Sequence, residues 1–314
     1  MILNFAFLRH GHAYHNVITP LLNNGRITIE EARALLGQTT NVEIKPLNDP
    51  DLTPVGIDAS VHNGCIVRKI LKNLGYTKTP ENPSLFFNRI NIVGCSPLIR
   101  SMESAYYMSR KWRDPSTKIY VFPFLREIDE SSTDKYSKDS IKTINSLSCY
   151  KMKSIQEQKN YLREEGILEF FDFSYIETFS KEREEPRDII NFIKWFSTYF
   201  SIPIPSLNIY GKTTHNFKSY TKLNMFIVTH AGVLHDYSHE GFHNNSGFVL
   251  QTTLEEKIIR FKEMISLTPY LPKFFFKNYN LFSTKSNYAP NRKCRVLCDQ
   301  KSDKISYGEC NSTD

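Results

Sequence analysis

Residues 2–8 are apolar apart from Asn4, and they run straight into Arg9-His10-Gly11. A short apolar run with β-forming Ile and Phe, bounded by a turn residue, predicts a buried strand. Gly11 is expected to let the backbone turn where a Cβ would clash. Arg9 and His10 then stand at the carboxyl end of a central strand, where open α/β sheets put their ligands. A permanently charged guanidinium beside an imidazole suits a phosphoryl group, since one neutralises oxygens and the other can attack phosphorus. The same three residues would also fit a strand end carrying a surface basic pair, so the weight falls on the rest of the chain.

Beyond this strand the pattern alternates. Thr28-Ile29-Glu30-Glu31 reads as a capping box opening a short helix that ends at Gly37. Thr53 and Pro54 open a long helix, with Ile57, Val61 and Cys65, and then Ile66, Ile70 and Leu74, repeating every four residues. Residues 90–94 form a second strand. Ser96 as N-cap and Pro97 at the first helical position predict a helix through Met108. Residues 119–122 make a third strand, leading to Glu127. Residues 131–185 are polar, with helical patches over 151–165, and 188–200 is an amphipathic helix. Residues 225–228 and 247–250 make two more strands. Thr253-Leu254-Glu255-Glu256 reads as a capping box for a helix reaching Leu267. Strand–helix alternation of this kind predicts an α/β fold, a mostly parallel central sheet with helices on both faces.

Composition narrows the classes. The chain has 314 residues and a formal net charge of +7, with basic residues interspersed among acidic ones and no block of like charge. That argues against a nucleic-acid partner and is met by a small anionic substrate or a solvated surface. Six cysteines, at 65, 95, 149, 294, 298 and 310, are scattered, and Cys65 and Cys95 read as reduced core residues. No basic leader precedes the first apolar run and no stretch approaches about 18 apolar residues, so neither a signal peptide nor a membrane partner is expected. A cytoplasmic protein with free thiols is the default. Trp112 and Trp195 read as packing. His12, His15, His235, His239 and His243, and the tail cysteines, lack the spacing of a zinc site and read as loop or surface groups.

Four strand ends present chemistry in order: Arg9-His10-Gly11, Ser96 to Arg100, Glu127 and His230. In a parallel sheet these ends share one edge. Two arginines, two histidines and a carboxyl group around one point suit phosphoryl transfer, which needs positioning and charge neutralisation above all. The pattern resembles the histidine phosphatase superfamily, also termed phosphoglycerate mutase-like. Its signatures are Arg-His-Gly, Leu-Ser/Thr-x-x-Gly, Ser-Pro-Leu-x-Arg, Leu-x-Glu and Thr-His-Gly/Ala-Gly. Here they stand as Arg9-His10-Gly11, Leu52-Thr53-Pro54-Val55-Gly56, Ser96-Pro97-Leu98-Ile99-Arg100, Leu125-Arg126-Glu127 and Thr229-His230-Ala231-Gly232. Asn244-Asn245-Ser246 is similar to the family's Asn-x-Ser.

The resemblance implies a three-layer fold and a phosphatase acting on a small phosphorylated substrate through a phosphohistidine, with no cofactor and no metal. His10 would be the nucleophile, Glu127 the general acid and then base, and His230 a catalytic and phosphate-binding group. Arg9, Asn16, Arg100 and Ala231 would bind phosphate. One branch of the family places its acid as Asp directly after the second histidine; Ala231 stands there, which points to Glu127, with Asp129 or Glu130 as substitutes. Residues 17–24 lack the further arginine common in the family, leaving Arg26 or Arg33 to take its place. The domain would span 1–268, with insertions over about 17–50 and 131–222 forming a lid, and an irregular extension over 269–314. Lys135, Lys138 and Lys142 could meet further anionic groups. A phosphoglycerate-type mutase and a catalytically idle phospho-ligand or protein-binding module are the alternatives, and a homodimer is left open.

Overall fold

The computed structural model describes residues 2–16, 25, 28, 49–74, 90–128, 153–179, 188–201, 222–239, 241–255, 258–267, 297–298 and 305–306. Seven strands form one sheet: β1 (Ile2–Arg9), β2 (Ile92–Cys95), β3 (Ile119–Val121), β4 (Phe171–Asp172), β5 (Lys222–Thr229), β6 (Gly247–Glu255) and β7 (Ile258–Leu267). Their order is β4-β3-β2-β5-β1-β6-β7. The five from β4 to β1 run parallel, and β6 and β7 add an antiparallel hairpin. Residues 297–298 and 305–306 form a separate two-stranded ladder.

Helices cover both faces. The longer ones among the described residues are α1 (Pro54–Leu74), α2 (Ile99–Ser109), α3 (Ile155–Glu164), α4 (Ser174–Phe179), α5 (Ile189–Ser201) and α6 (Ala231–Ser238). Successive residues of a strand face opposite sides, and β1 divides accordingly. Leu3, Phe5 and Phe7 pack with Phe192, Ile193 and Phe196 of α5, while Ala6 and Leu8 pack with Val67 of α1 and Met102 of α2. On α5, Ile189, Phe192, Ile193 and Phe196 are buried at helical spacing. Trp195 sits against Phe122 and Tyr175, and Trp112 sits edge-on to Phe226, so both tryptophans pack as expected.

The antiparallel side corrects the reading of a helix over residues 253–267. Residues 253–255 complete β6 and residues 258–267 form β7. The local capping-box signal competes with a period-two alternation of Ile259, Phe261, Ile265 and Leu267, and with the open edge of β6; backbone pairing along that edge prevails. Cys65 is a second correction, being exposed while Cys95 is buried. The face of α1 that packs inward runs through Ile57, Val61, Gly64, Val67 and Leu71, and Cys65 lies beside it. Gly64 is obligatory there: a Cβ would stand 1.9 Å from the Met108 carbonyl oxygen of α2. The readings at Arg26, Glu30, Glu31, Arg33, Gly37, Asp129, Glu130, Lys135, Lys138 and Lys142, most of the first insertion, residues 131–152, 180–187 and 202–221 of the second, and most of the tail lie outside the described residues. Among the described residues, no helix is long and apolar enough to cross a membrane.

A buried row of amides crosses three adjacent strands, β5, β1 and β6. Asn4 Nδ2 donates to Asn224 Oδ1 at 2.7 Å, and Gln251 Nε2 donates to Asn4 Oδ1 at 2.8 Å. Asn4 faces both residues directly in the strand registers. Its replacement by Leu strands two partners in a dry setting. Asn4→Leu should therefore lower unfolding free energy by about 1–3 kcal/mol for each group left unpaired. Denaturant titration checks this, with the midpoint expected to fall and the slope to hold.

Candidate active site

The parallel register pairs Arg9 with Thr229, so the next residues, His10 and His230, leave the sheet side by side. Both are fully buried, with ring centroids 5.1 Å apart. His10 Nδ1 lies 2.7 Å from the Gly11 carbonyl oxygen. A carbonyl only accepts, so the hydrogen sits on Nδ1 and the lone pair on Nε2. Arg100 Nε donates toward that Nε2 at 3.4 Å from a wholly buried position at the start of α2.

Glu127 arrives from the segment after β3. Phe124, in that segment, holds a left-handed backbone with φ 67°, a strained state for a bulky residue. Packing on Trp195 and a hydrogen bond from the Asp188 N–H to the Phe124 carbonyl hold it there. The Glu127 Oε1 accepts from the N–H groups of Gly232 at 3.0 Å and Ile128 at 3.2 Å, the former in the first turn of α6. Its Oε2 is then 3.8 Å from His230 Nδ1. On the other side of that ring, His230 Nε2 meets Ser96 Oγ at 2.7 Å.

Ser96 is thus not the N-cap of α2, which starts at Ile99. Asp49 takes that part: its Oδ1 accepts from the Ile99 N–H at 2.6 Å, and Gln158 Nε2 donates to its Oδ2 at 2.9 Å. Burial pushes the Asp49 carboxyl up, against the pull of Lys153, Gln158 and Arg100. Thr53 does cap α1, accepting from the Gly56 N–H at 3.1 Å.

The loop after β1 is clamped from several directions. The Gly11 N–H donates to Ser104 Oγ at 2.7 Å, and a Cβ on Gly11 would stand 2.3 Å from Ser60 Oγ. Asn244 Nδ2 donates to the carbonyls of His10 and Gly11 at 3.0 and 3.1 Å. Arg9 is half-buried, its Nη1 donating to the Phe242 carbonyl at 2.7 Å. Asn16 turns its Oδ1 to the Ala13 N–H and to Asn244. Ala231 opens α6, so its backbone belongs to a helix N-terminus beside His230.

Two histidines read as surface groups are part of this neighbourhood. His15 is buried with its ring 5.3 Å from that of His10, and His12 is half-buried with Nδ1 2.9 Å from Thr53 Oγ1. His235, His239 and His243 are exposed, as expected. No local pattern marks His15 or Asp49, because their burial depends on partners from distant parts of the chain. Donor atoms of His10, Glu127 and His230 lie within 4.8 Å of one another, close enough to be considered for a metal ion. The guanidinium of Arg100 beside His10 makes the same space better suited to an anion.

The cost of this arrangement is electrostatic. Burial, then the charges of Arg100, His230 and Arg9, push the His10 imidazole well below its ordinary value. Burial, then Arg100, His10, Arg9 and His12, do the same to His15. Burial and Arg9 push His12 down to about 4. These rings stay neutral in the folded protein at pH values where the unfolded chain, titrating near 6.5, takes up protons. Stability should therefore be full above about 6.5 and fall as pH drops through it, for His12 down to about 4. Melting temperatures measured between about pH 8 and pH 5 should decline mainly in the acid half, and a flat profile would contradict the burial of these rings.

No protein-family model matches the sequence, and no curated protein matches it. Similar solved structures include the ecdysone phosphate phosphatase of Bombix mori in complex with tungstate, 16% identical over 86% of this chain and 93% of that one, with a TM-score of 0.39. A phosphoserine phosphatase variant from Entamoeba histolytica in complex with phosphoserine is 13% identical over 86% of this chain and 100% of that one, TM-score 0.35. A mycobacterial hydrolase is 10% identical over 88% and 96%, TM-score 0.42.

Proposed function

We propose that the chain is a histidine phosphatase that hydrolyses a small phosphorylated molecule through a phosphohistidine at His10. One observation supports this above the others. The His10 ring is held by the Gly11 carbonyl with its Nε2 lone pair turned toward Arg100, one ring-width from His230. A neutral imidazole with a fixed lone pair, surrounded by cations, is a nucleophile prepared for an anionic electrophile.

In the reaction, Nε2 of His10 attacks phosphorus and the ester P–O bond breaks. Glu127, protonated at Oε2, gives its proton to the leaving oxygen. The resulting carboxylate takes a proton from water, whose oxygen attacks phosphorus as the P–N bond breaks. Inorganic phosphate leaves and His10 is restored. Arg9, Arg100 and His230 neutralise charge on the equatorial oxygens, with the Ala231 end of α6 adding its helix dipole. Asn16, engaged by Ala13 and Asn244, shapes the loop beneath the site more directly than it meets phosphate. Residues 1–268 act as the catalytic unit, and the free thiols at Cys65 and Cys95 accord with a reducing cytoplasmic setting.

His10→Ala should abolish hydrolysis of an aryl phosphate, and equal rates in variant and wild type would refute the nucleophile assignment. Glu127→Gln should lower kcat on an alkyl phosphate by about 10²–10⁴-fold. The same change should cost much less with a nitrophenyl ester, whose leaving group needs no proton. An equal loss on both esters would remove Glu127 as the acid.

A further inference from the structure

We propose that His15 is a third imidazole of this site, donating from Nδ1–H to an oxygen of the bound anion. It sets the fit of the anion and leaves the chemistry to His10. The assignment rests on the phosphatase reading for the identity of that anion, taken here as a phosphoryl group.

The tautomer follows from the Asn16 amide. Its Oδ1 receives the Ala13 N–H at 3.0 Å and Asn244 Nδ2 at 3.3 Å. Two donors on one atom identify it as the oxygen, so the Asn16 nitrogen is what faces His15 Nε2 at 3.1 Å. An amide NH₂ only donates. His15 Nε2 therefore accepts, and the hydrogen of the neutral ring is on Nδ1. That Nδ1 is buried and has no hydrogen-bond partner among the described residues. The charged and titratable groups acting on the ring are Arg100 from α2 and Arg9, His10 and His12 from the end of β1 and the loop beyond it. A buried N–H with no acceptor among the described residues, set among cations and 5.3 Å ring to ring from His10, is met by an anionic oxygen.

Asn16 also keeps the donor uncharged. A proton on Nε2 would face the amide NH₂, and turning that amide over would break its bonds to Ala13 and Asn244. The site thus gains a hydrogen-bond donor without another positive charge beside the nucleophile. Burial and the neighbouring cations hold the ring neutral in the same sense.

The test compares wild type with His15→Asn, whose amide nitrogen can stand where Nδ1 stood, and His15→Phe, which fills the space without a donor. The readouts are KM and kcat for an aryl phosphate, and inhibition by inorganic phosphate. His15→Phe should weaken phosphate inhibition and raise KM by about tenfold, as expected for one lost hydrogen bond to a charged group. Its kcat should change by less than about threefold, and His15→Asn should stay within about threefold of wild type throughout. Unchanged phosphate inhibition in His15→Phe would overturn the proposal. So would equal losses in both variants, which would mean packing alone. If His15→Phe does not fold, His15→Gln replaces it, since its amide reaches toward the Nε2 position: loss in Gln with retention in Asn supports the donor, and equal values overturn it. The rise in melting temperature caused by inorganic phosphate is read in parallel. If wild type hydrolyses nothing, the phosphatase reading fails, and that thermal shift across the same variants still decides the donor.

Discussion

The in-register parallel pairing of β1 with β5 is the constraint on which the site depends. Arg9 pairs with Thr229, and the His10 N–H donates to the Thr229 carbonyl at 2.9 Å, so the ladder carries on one residue past the strand. Paired strands lie about 4.8 Å apart, and the two imidazoles stand at nearly that spacing. No side chain has to reach for this; the backbone places it. The antiparallel neighbour β6 closes the other side, where the Arg9 N–H donates to the Ser246 carbonyl at 2.7 Å.

Around that pair the molecule gathers positive charge in a buried setting. Arg100 is fully buried at the head of α2, and the neutral rings of His10 and His15 stand within reach of its charge and of that of Arg9. Rigid support makes this tolerable. Asp49 answers the start of α2, Ser104 and Asn244 hold the loop after β1, and Glu127 is fixed by two backbone donors so that one oxygen faces His230. The fold has done the work of gathering charge before any ligand arrives, which is what electrostatic preorganisation requires.

Much of this was legible in the residues. Arg9, His10, Arg100, Glu127 and His230 each follow or end a strand, and a parallel sheet brings such ends to one edge. The caps were less reliable. Ser96-Pro97 has the local form of a helix start, yet the hydroxyl serves His230, and the cap comes from Asp49, fifty positions away from Ile99. Thr253 to Glu256 has the form of a capping box, yet Thr253 to Glu255 continue β6, whose edge pairs with β7. His15 looks like any loop histidine until Arg100 and Asn16 close around it. In each case a nearby pattern was outweighed by a partner that chain connectivity alone does not reveal.

The amide row of Asn4, Asn224 and Gln251 lies at the opposite end of the strands from the imidazoles. Asn4 ties β1 to both neighbours through this row, so a shift of β1 against β5 breaks its bond to Asn224, and a shift against β6 breaks its bond to Gln251. The alignment of the edge that carries His10 and His230 is therefore held in part by groups at the far end of the strands. Over evolutionary time these three positions should drift only in concert, because a change in one alone leaves a buried amide on the next strand without its partner.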